Sequence, residues 1–424
     1  MNSSSKLRYA VLQPLLGGMY LGAEAVIGHP AECIISFDGL DAVRRDENGN
    51  ITEALNEYHL TSYLKKHNRM VPYYTFKDQK MFDNKEVNES QLVDHYTNSL
   101  VYPDFSNIDL VVAVPVCSGL STVTSCDDSV REIRNNNMLF LSRYALSVIK
   151  PKVYIFENAP TFMGSRGNYI RKILEDLAST TGYKIVYYKT DTSLHDNCQK
   201  RPRTFIYFFK GDKVPKIEFD KRTCSVEEFL NRIPDDATQK VNFRLKNNIS
   251  VPVKYMNYLY GSHWRDFVGN DIFSSVVKSD EEISKFLSWA EEYCSESDYK
   301  KFKSYIDHIK DKKSSGKGFW CITPRVYKDS MPACMYKNIF NLLHYKEDRL
   351  YNCREWLSIM GMPYDFELQG DYLRNAKKIG QNVPVGTAAF VVKQAVNYLN
   401  NNIEFIDTKS NIFIDNINQT ISEV

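Results

Sequence analysis

The sequence of 424 residues contains no run of about 18 consecutive apolar residues, which is the length that a helix needs to cross a bilayer. Its first residues, Met1 to Lys6, are polar, whereas an export signal carries an apolar stretch near its start. The sequence therefore predicts neither a membrane-spanning helix nor an export signal. We expect a cytoplasmic protein without a membrane partner.

The cysteines also lack the pattern of a disulfide or zinc framework. There are nine, an odd number, and no two of them form a Cys-x-x-Cys pair. Disulfide frameworks usually have an even number of cysteines, and structural zinc sites usually contain such pairs. We therefore expect no bound metal, and cysteines that are mostly buried in a reducing compartment.

An excess of charge of one sign is missing as well. The 54 basic residues nearly balance the 52 acidic residues, so the formal net charge is only +2. A surface that binds nucleic acid would therefore have to come from a local concentration of basic residues. With 43% apolar and 25% charged residues, the composition is that of a globular protein, long enough for two structural units.

The first half of the chain does contain a clear alternation of apolar strands and amphipathic helices. Helical spacing of apolar residues predicts helices around Phe140 to Val148 and Ile170 to Leu177. Short, nearly continuous apolar segments predict buried strands at Ala31 to Asp38, Asp109 to Val114, Lys152 to Phe156, Lys184 to Tyr188 and Thr204 to Phe209. This order predicts an α/β fold with a doubly wound, mostly parallel sheet, whose ligands bind beyond the carboxyl ends of the strands.

The pattern changes after about residue 210. Irregular polar stretches follow, with a β-like piece at Ile249 to Tyr255 and a helical period at Asp280 to Tyr293. Several lysines then precede a linker-like stretch at Ser314 to Gly316. This mixture favours a smaller second domain.

Apolar residues resume after Phe319, and Thr387 to Leu399 has the spacing of a helix that packs on the first domain. The first domain is therefore predicted to be discontinuous in sequence. We predict three segments: the first part of this domain at 1–209, the second domain at 210–318, and the closing part of the first domain at 319–424.

Three polar motifs lie at strand boundaries, where the ligands of such a sheet bind. The first, Pro115 to Ser121, directly follows the predicted strand Asp109 to Val114. A cysteine in such a loop, before a helix start, can have a lowered pKa and an exposed sulfur, as a thiolate nucleophile requires. Cys117 is therefore a candidate nucleophile. A buried structural cysteine is the alternative.

The second motif, Glu157 to Ala159, follows the next predicted strand. Neighbouring parallel strands are about 4.8 Å apart, so a carboxylate at this position can share a pocket with the thiol of the first motif. A helix cap or a solvated glutamate is the alternative for Glu157.

The third motif, Gln199 to Arg203, leads into the predicted strand Thr204 to Phe209. On extended backbone Arg201 and Arg203 point the same way, and their guanidinium groups suit a phosphate or a carbonyl oxygen. A surface charge cluster is the alternative. Three such motifs at strand boundaries together favour a single site.

The order and spacing of the motifs resemble the DNA (cytosine-5) methyltransferase family over most of the chain outside the middle domain. The family's Pro-Pro-Cys-Gln-x-Phe-Ser, Glu-Asn-Val and Gln-x-Arg-x-Arg blocks resemble Pro115 to Ser121, Glu157 to Ala159 and Gln199 to Arg203. Arg354 to Phe366 resembles the family's Arg-Glu…Gly-Phe-Pro stretch, and Ile379 to Pro384 resembles the family's Gly-Asn-x-Val-Pro block. The resemblance implies a Rossmann-like methyltransferase fold with a smaller, mixed target recognition domain.

The resemblance also implies roles for individual residues. Cys117 would attack C6 of a cytosine, Glu157 would hold N3 and the exocyclic amine, and Arg203, supported by Arg201, would hold O2. A thiolate is needed because C5 becomes nucleophilic only after addition at C6. Both faces of the ring must be reachable, which implies that the base flips out of double-stranded DNA. Ser121 and Gln199 would contact the DNA.

The methyl donor implied by the resemblance is S-adenosylmethionine, bound by Leu16, Gly17, Gly18, Asp38, Pro115 and Asn382. The family's Phe-x-Gly-x-Gly-Gly turn corresponds to Gln13 to Gly18, which keeps only the last two glycines. Gln13 replaces the phenylalanine that stacks on adenine. Asp38 fits the acid that accepts the ribose hydroxyls, but Gly39 replaces an aromatic residue beside it.

In the middle domain, Lys310, Lys312 and Lys313 can contact phosphates, which adds salt-dependent affinity without sequence information. A solvated helix face is the alternative. His263 and Arg265 can read base edges or fill the gap left by the flipped base, although the tryptophan between them is as compatible with a core position. His195 is interpreted as a loop histidine rather than a catalytic base.

The resulting prediction is a monomeric, sequence-specific DNA methyltransferase that modifies C5 of cytosine. The family implies restriction and modification in a bacterial or phage-infected cell, in association with the nucleoid. The altered glycine turn supports an alternative, a DNA-binding relative that recruits a partner and has lost or changed its cofactor. A third possibility keeps the thiolate chemistry but transfers another group or acts on RNA.

Overall fold

The computed structural model describes residues 6–37, 44–45, 47, 51–53, 56–76, 92–115, 119–120, 128–234, 251–261, 279–300, 303–304, 306–307, 344–346, 351–370 and 372–424. Its strands are β1 (Tyr9–Leu12), β2 (Cys33–Ser36), β3 (Arg44–Arg45), β4 (Ile51–Glu53), β5 (Tyr73–Phe76), β6 (Leu92–Asp94), β7 (Leu100–Val101), β8 (Leu110–Ala113), β9 (Val153–Asn158), β10 (Tyr183–Asp191), β11 (His195–Asn197), β12 (Pro202–Lys210), β13 (Val214–Pro215), β14 (Arg222–Thr223), β15 (Phe405–Ile406), β16 (Ile412–Asp415) and β17 (Thr420–Glu423). Its α-helices are α1 (Gly18–Ile27), α2 (Asn56–Lys66), α3 (Asp128–Arg143), α4 (Asn168–Thr181), α5 (Val226–Leu230), α6 (Val251–Tyr260), α7 (Asp280–Tyr293), α8 (Cys353–Ile359), α9 (Tyr372–Gln381) and α10 (Val385–Leu399).

An eleven-stranded sheet in the order β17-β16-β10-β12-β9-β8-β1-β2-β5-β6-β7 forms the centre of the fold. Its middle strands β9, β8, β1, β2 and β5 are parallel to one another, whereas β12, β6 and β17 run against their neighbours. The five strands predicted for the first half of the chain all belong to this sheet. The helix predicted at Ile170 to Leu177 lies within α4, and the helix predicted around Phe140 to Val148 spans the end of α3 and the π-helix Tyr144–Ile149 that follows it. The prediction of a doubly wound, mostly parallel sheet is confirmed.

Side chains of the sheet enter two cores, one on each face, because successive residues of a strand point in opposite directions. Tyr9 and Val11 of β1 belong to the core that contains α1, α8, α9 and α10, whereas Ala10 and Leu12 belong to the core that contains α3 and α4. The predicted packing helix Thr387 to Leu399 is α10. The carboxyl-terminal part of the chain therefore completes the first core, as predicted.

The segment that follows residue 210 also packs on the first core. β13 pairs with β15, β14 pairs with β11, and α5 contributes Val226, Phe229 and Leu230 to that core. The part of the chain that packs on the sheet thus continues beyond 209 to at least residue 230. The further division into domains stays a prediction.

The β-like piece predicted at Ile249 to Tyr255 is wrong, because this stretch lies largely within helix α6. Tyr255 packs against Phe286 and Trp289 of α7, with ring centroids 5.1 and 5.0 Å apart. These aromatic contacts favour the helix and outweigh the strand preference of the β-branched residues at its start. Within the described ranges, no helix has both the length and the apolar character needed to span a membrane.

Candidate functional site

Glu157 and Arg203 form a buried ion pair at one edge of the sheet. Nε of Arg203 lies 2.5 Å from Oε1 of Glu157, and the two side chains are 14% and 3% exposed, respectively. Because β12 runs antiparallel to β9, the start of β12 lies beside the carboxyl end of β9. The structure thus brings together two side chains that the sequence assigned to catalysis. Their catalytic roles stay predictions.

Asn158 fixes the turn that follows Glu157. Its Nδ2 donates to Sδ of Met138 at 3.1 Å, and its Oδ1 accepts the backbone N–H of Ala159 at 2.8 Å. Asn158 is fully buried, so a lost hydrogen bond here would be costly. The asparagine of the Glu-Asn-Ala motif therefore holds the backbone at the end of β9.

The loop before Arg203 is held by its own hydrogen bonds. Oδ1 of Asp191 accepts the backbone N–H of Arg201 at 3.0 Å, and Oδ1 of Asn197 accepts that of Gln199 at 2.8 Å. Such contacts favour one conformation of the Gln199 to Arg203 motif before any ligand binds.

The two arginines of this motif contact different groups. Arg201 is buried, and its Nη1 donates to the carbonyl oxygen of Gly380 in α9 at 2.9 Å, whereas Arg203 contacts Glu157. The expectation that both side chains point the same way assumed extended backbone. Arg201 directly precedes β12, which begins at Pro202, and the shared direction of the two side chains stays a prediction. A supporting role of Arg201 at the base stays a prediction.

The side chain of Gln199 is fully buried, and neither polar atom of its amide has a hydrogen-bond partner among the described residues. A buried amide without a partner costs free energy, and such groups commonly face a ligand or an ordered water. This environment is compatible with the predicted DNA contact of Gln199.

Cys117 and Ser121 lie outside the described residues. The described residues around Cys117 are Pro115, buried just beyond β8, and Leu120, whose carbonyl oxygen accepts a hydrogen bond from Oγ1 of Thr161. Because β8 and β9 are parallel neighbours, Pro115 and Glu157 lie at the same edge of the sheet. The motif that contains Cys117 thus starts at the edge that carries the ion pair.

A second turn, Gln13 to Gly17, connects β1 to α1 at this edge. Gln13, Leu15 and Gly17 have φ angles of 47°, 53° and 105°, a left-handed conformation that favours glycine. Gln13 is 5% exposed, and its Oε1 has no partner in the part of the chain that the structure describes. The turn therefore offers a buried hydrogen-bond acceptor at the predicted cofactor site.

Gly18, the first residue of α1, lies directly against the Ile379 to Pro384 block. Its backbone N–H donates to Oδ1 of Asn382 at 2.9 Å. A Cβ atom on Gly18 would lie 1.8 Å from the carbonyl oxygen of Val383. Only glycine fits at this position, and Asn382 contacts the glycine turn itself.

The other predicted cofactor residues have different environments. The side chain of Leu16 is fully buried in the first core, so only its backbone can face a cofactor. Asp38 lies outside the described residues. Ser36, at the end of β2, donates a hydrogen bond to Glu57, a buried carboxylate. Glu57 could not be singled out from the sequence, because its only signal was its place in the first turn of an amphipathic helix.

Lys310, Lys312, Lys313, His263 and Arg265 all lie outside the described residues. The interpretation of His195 as a loop histidine is wrong, since it lies in β11 and is fully buried. Burial lowers the pKa of His195, and the hydrogen bond to Asp220 only partly opposes that effect.

The fold is that of a methyltransferase. A crystal structure assigned as a DNA modification methyltransferase encoded within an E. coli prophage has a TM-score of 0.53 to this chain, with 16% identity, and covers 93% of this chain and 99% of the other. The Entamoeba histolytica methyltransferase EhMeth has a TM-score of 0.53, 12% identity and the same coverage. At these identities the similarity concerns the fold.

The sequence comparison defines the family. The model described as C-5 cytosine-specific DNA methylase matches residues 49–397. The chain therefore belongs to this family and is a DNA cytosine-5 methyltransferase, which acts on DNA and uses a methyl donor. The Type II methyltransferase M.Bpa9945I of Bacillus paralicheniformis is 21% identical over 348 residues, which is 74% of this chain and 77% of that protein. M.PspPI of Psychrobacter sp. is 24% identical over 290 residues, 62% of this chain and 58% of that protein.

Proposed function

We propose that this enzyme methylates C5 of a cytosine that has been flipped out of double-stranded DNA, through a covalent bond between Cys117 and C6. The observation that carries the proposal is the buried contact between Glu157 and Arg203. A carboxyl group beside a guanidinium group matches the N3 and O2 atoms of one cytosine edge. A base that remained stacked in the duplex would not reach this buried pair.

In this mechanism the thiolate of Cys117 forms a bond to C6, and the electron pair of the C5–C6 double bond becomes available at C5. Glu157 shares a proton with N3, and Arg203 donates hydrogen bonds to O2, so both residues stabilise the charge on the ring. The electron pair at C5 then forms a bond to the methyl carbon of the donor, whose carbon–sulfur bond would break and leave its electrons on the donor sulfur. A base removes the C5 proton, the C5–C6 double bond forms again, and the thiolate leaves C6 with the electrons of the carbon–sulfur bond.

We infer that the methyl donor is S-adenosylmethionine, which supplies an electrophilic methyl group on a positively charged sulfur. The buried Oε1 of Gln13 can accept a hydrogen bond from it, and the amino end of α1 favours its carboxylate. Backbone groups of Leu16 and Gly17, with Asp38 and Pro115, would complete the site. Asn382 would hold Gly18 in place.

We also propose a monomer that acts in the cytoplasm of a bacterial or phage-infected cell, near the nucleoid. The middle domain would recognise the target sequence, with Lys310, Lys312 and Lys313 at phosphates and with Ser121 and Gln199 near the flipped nucleotide. The names of the two Type II relatives support a role in restriction and modification.

Mass spectrometry of duplex DNA incubated with the enzyme and S-adenosylmethionine tests this proposal. We expect 5-methylcytosine from the wild type and none from Cys117→Ala, which should still bind DNA. Cys294→Ala is the matched control, because it changes a partly buried cysteine at the end of α7. Duplex DNA with 5-fluorocytosine should trap a peptide adduct at Cys117.

Two other results would contradict the proposal. A folded wild-type protein that modifies no cytosine in a broad set of duplexes would exclude it. Calorimetric binding of DNA without binding of S-adenosylmethionine would favour the alternative of a DNA-binding relative with a lost or changed cofactor.

A further inference from the structure

A buried chain of hydrogen bonds runs beside the Gln199 to Arg203 motif. Nδ2 of Asn416 lies 2.9 Å from Oγ1 of Thr190, which lies 2.7 Å from Nε2 of His195. Nδ1 of His195 lies 3.0 Å from Oδ2 of Asp220. Asn416, Thr190 and His195 are fully buried, and Asp220 is 7% exposed. These hydrogen bonds therefore join the turn after β16, the strands β10 and β11, and the segment before β14 inside the protein.

One arrangement of protons satisfies these three contacts. The amide nitrogen of Asn416 can only donate, so Oγ1 of Thr190 accepts its hydrogen. With Nε2 of His195 unprotonated, the Thr190 hydroxyl donates its own hydrogen to that nitrogen. Nδ1 of His195 then carries the ring proton and donates to the Asp220 carboxylate. The imidazole is neutral in this arrangement, which agrees with the lowered pKa of buried His195. Arg222 balances the charge of Asp220, with Nη2 at 2.7 Å from Oδ2.

The chain of hydrogen bonds lies directly beside the ion pair of Glu157 with Arg203. Thr190 is the cross-strand partner of Arg203 in the antiparallel pairing of β10 and β12. Such partners present their side chains on the same face of a sheet, with Cβ atoms about 5 Å apart. His195 lies in the short strand β11, within the connection from the end of β10 to the start of β12 (the β10–β12 loop), so both ends of that connection depend on its position.

We propose that His195 is a positioning residue for Arg203, acting through Thr190 and the loop between β10 and β12. It contacts neither the base nor the cofactor. Through Asn416 and Asp220, it ties the orientation of Arg203 to the turn between β16 and β17 and to the segment that leads into the middle domain. This inference rests on the proposed function, since it requires Arg203 to act on the cytosine.

The physical reason is the cost of a broken buried chain. Without the Thr190 hydroxyl, Nε2 of His195 and Nδ2 of Asn416 lose hydrogen bonds in a region that water does not reach. The loop then relaxes to satisfy them, and Arg203 moves relative to Glu157. Displacements of about 1 Å at a catalytic group can lower turnover by up to about 100-fold.

The test compares Thr190→Val, Thr190→Ser and Thr204→Val in steady-state methylation of duplex DNA. Thr190→Val removes the hydroxyl without changing the shape of the side chain, and Thr190→Ser keeps the hydroxyl. Thr204→Val is the matched control, because Thr204 is fully buried in β12 and its hydroxyl has no partner among the described residues. We expect Thr190→Val to lower kcat about 10-fold with little change in KM for DNA. Thr190→Ser and Thr204→Val should stay within about 2-fold of the wild type.

Equal kcat values for Thr190→Val and Thr204→Val would overturn the inference, as would a change confined to KM. If the wild type transfers no methyl group, the proposed function fails first, and the inference fails with it. If Thr190→Val does not fold, Asp220→Asn provides the second variant, since it keeps the size of the side chain and half-exposed Arg222 can turn to solvent. We expect Asp220→Asn to lower kcat at least about 3-fold, and an unchanged kcat would overturn the inference.

Discussion

The ion pair of Glu157 with Arg203 and the turn at Gln13 to Gly18 lie at the same edge of the sheet, but different parts of the chain hold them. Side chains hold the ion pair, through its own contact and the hydrogen bonds of the preceding loop. Backbone packing holds the turn, because the N–H of Gly18 bonds to Asn382 and no Cβ fits there. The ion pair is therefore sensitive to the removal of a functional group, whereas the turn is sensitive to an increase in side-chain volume.

This difference explains which glycines of the family pattern are present. A Cβ on Gly17 would lie 2.6 Å from Cδ1 of Leu60, and a Cβ on Gly18 would meet Val383 at 1.8 Å. The remaining glycine position of the pattern is occupied by Leu15, which takes the left-handed conformation at φ 53°. Its side chain packs against the first core, which offsets the conformational cost of about 1–2 kcal/mol. Glycine is therefore present at 18, where a backbone atom leaves no space, and at 17, where a φ of 105° disfavours any other residue.

The largest effect is expected from removing the charge at the ion pair. Glu157→Gln should lower turnover at least about 100-fold, because the amide cannot share a proton with N3 of the base. Glu175→Gln is the matched control, since Glu175 accepts a hydrogen bond from Tyr187 on the other face of the sheet. Methyl transfer to duplex DNA measures both. Turnover of Glu157→Gln equal to that of the control would refute the assigned role.

A steric change should affect the cofactor turn instead. Gly18→Ala should lower the free energy of unfolding by about 3 kcal/mol, because the carbonyl of Val383 belongs to the backbone and cannot move cheaply. Binding of S-adenosylmethionine should weaken in parallel. Gly164→Ala is the control, because its Cβ would have an ordinary contact at 3.4 Å and its φ is −86°. Urea unfolding and calorimetry would show the effect, and equal stability of the two variants would contradict it.

A smaller effect, a loss of stability at acidic pH, is expected on the same side of the molecule as the cofactor turn. Burial lowers the pKa of His59 in α2 to about 3, with a further contribution from Lys378. Between about pH 6.5 and pH 3 the unfolded chain binds a proton at His59 that the folded chain does not, so stability falls as the pH falls. His59 should contribute a slope of about 1.4 kcal/mol per pH unit. His59→Asn removes this titration and keeps an acceptor for the N–H of Gln369, which lies 3.3 Å from Nδ1.

Urea unfolding of the wild type and His59→Asn between pH 6.5 and pH 4.5 checks this expectation. The wild type should lose stability more steeply. Parallel curves would show that His59 is protonated in the folded protein, or that it has no part in the acid sensitivity.

Much of the fold could be predicted from local patterns. Buried parallel strands are apolar on both faces, so Asp109 to Val114 and Lys152 to Phe156 were recognisable without knowledge of their neighbours. Helix α7 has the predicted bounds, because a serine cap and an amphipathic period both mark it.

Helix α6 could not be predicted, since its contacts with α7 lie far along the chain. The strand between β9 and β10 in the sheet, β12, comes after both in sequence, and only the folded sheet shows that its start meets the end of β9.

The candidate site, like the fold, could be predicted only in part from the sequence. The residue types at 157, 201 and 203 and their places at strand boundaries were visible in the sequence. The different partners of Arg201 and Arg203, the buried environment of His195 and the burial of Glu57 were not visible. They depend on contacts between residues far apart in the chain, such as 179 positions for Arg201 with Gly380 and 226 positions for Thr190 with Asn416.

The amino-acid order by itself determined the alternation of elements, the strand edge that carries the polar motifs, and the family, because these follow from local hydrophobicity and from short runs of residue types. Only the tertiary structure decided which side chains and backbone groups of these motifs are in contact. Hydrogen bonds and steric contacts act over a few ångströms in space, and folding brings Thr190 next to Asn416 and Gly18 next to Asn382.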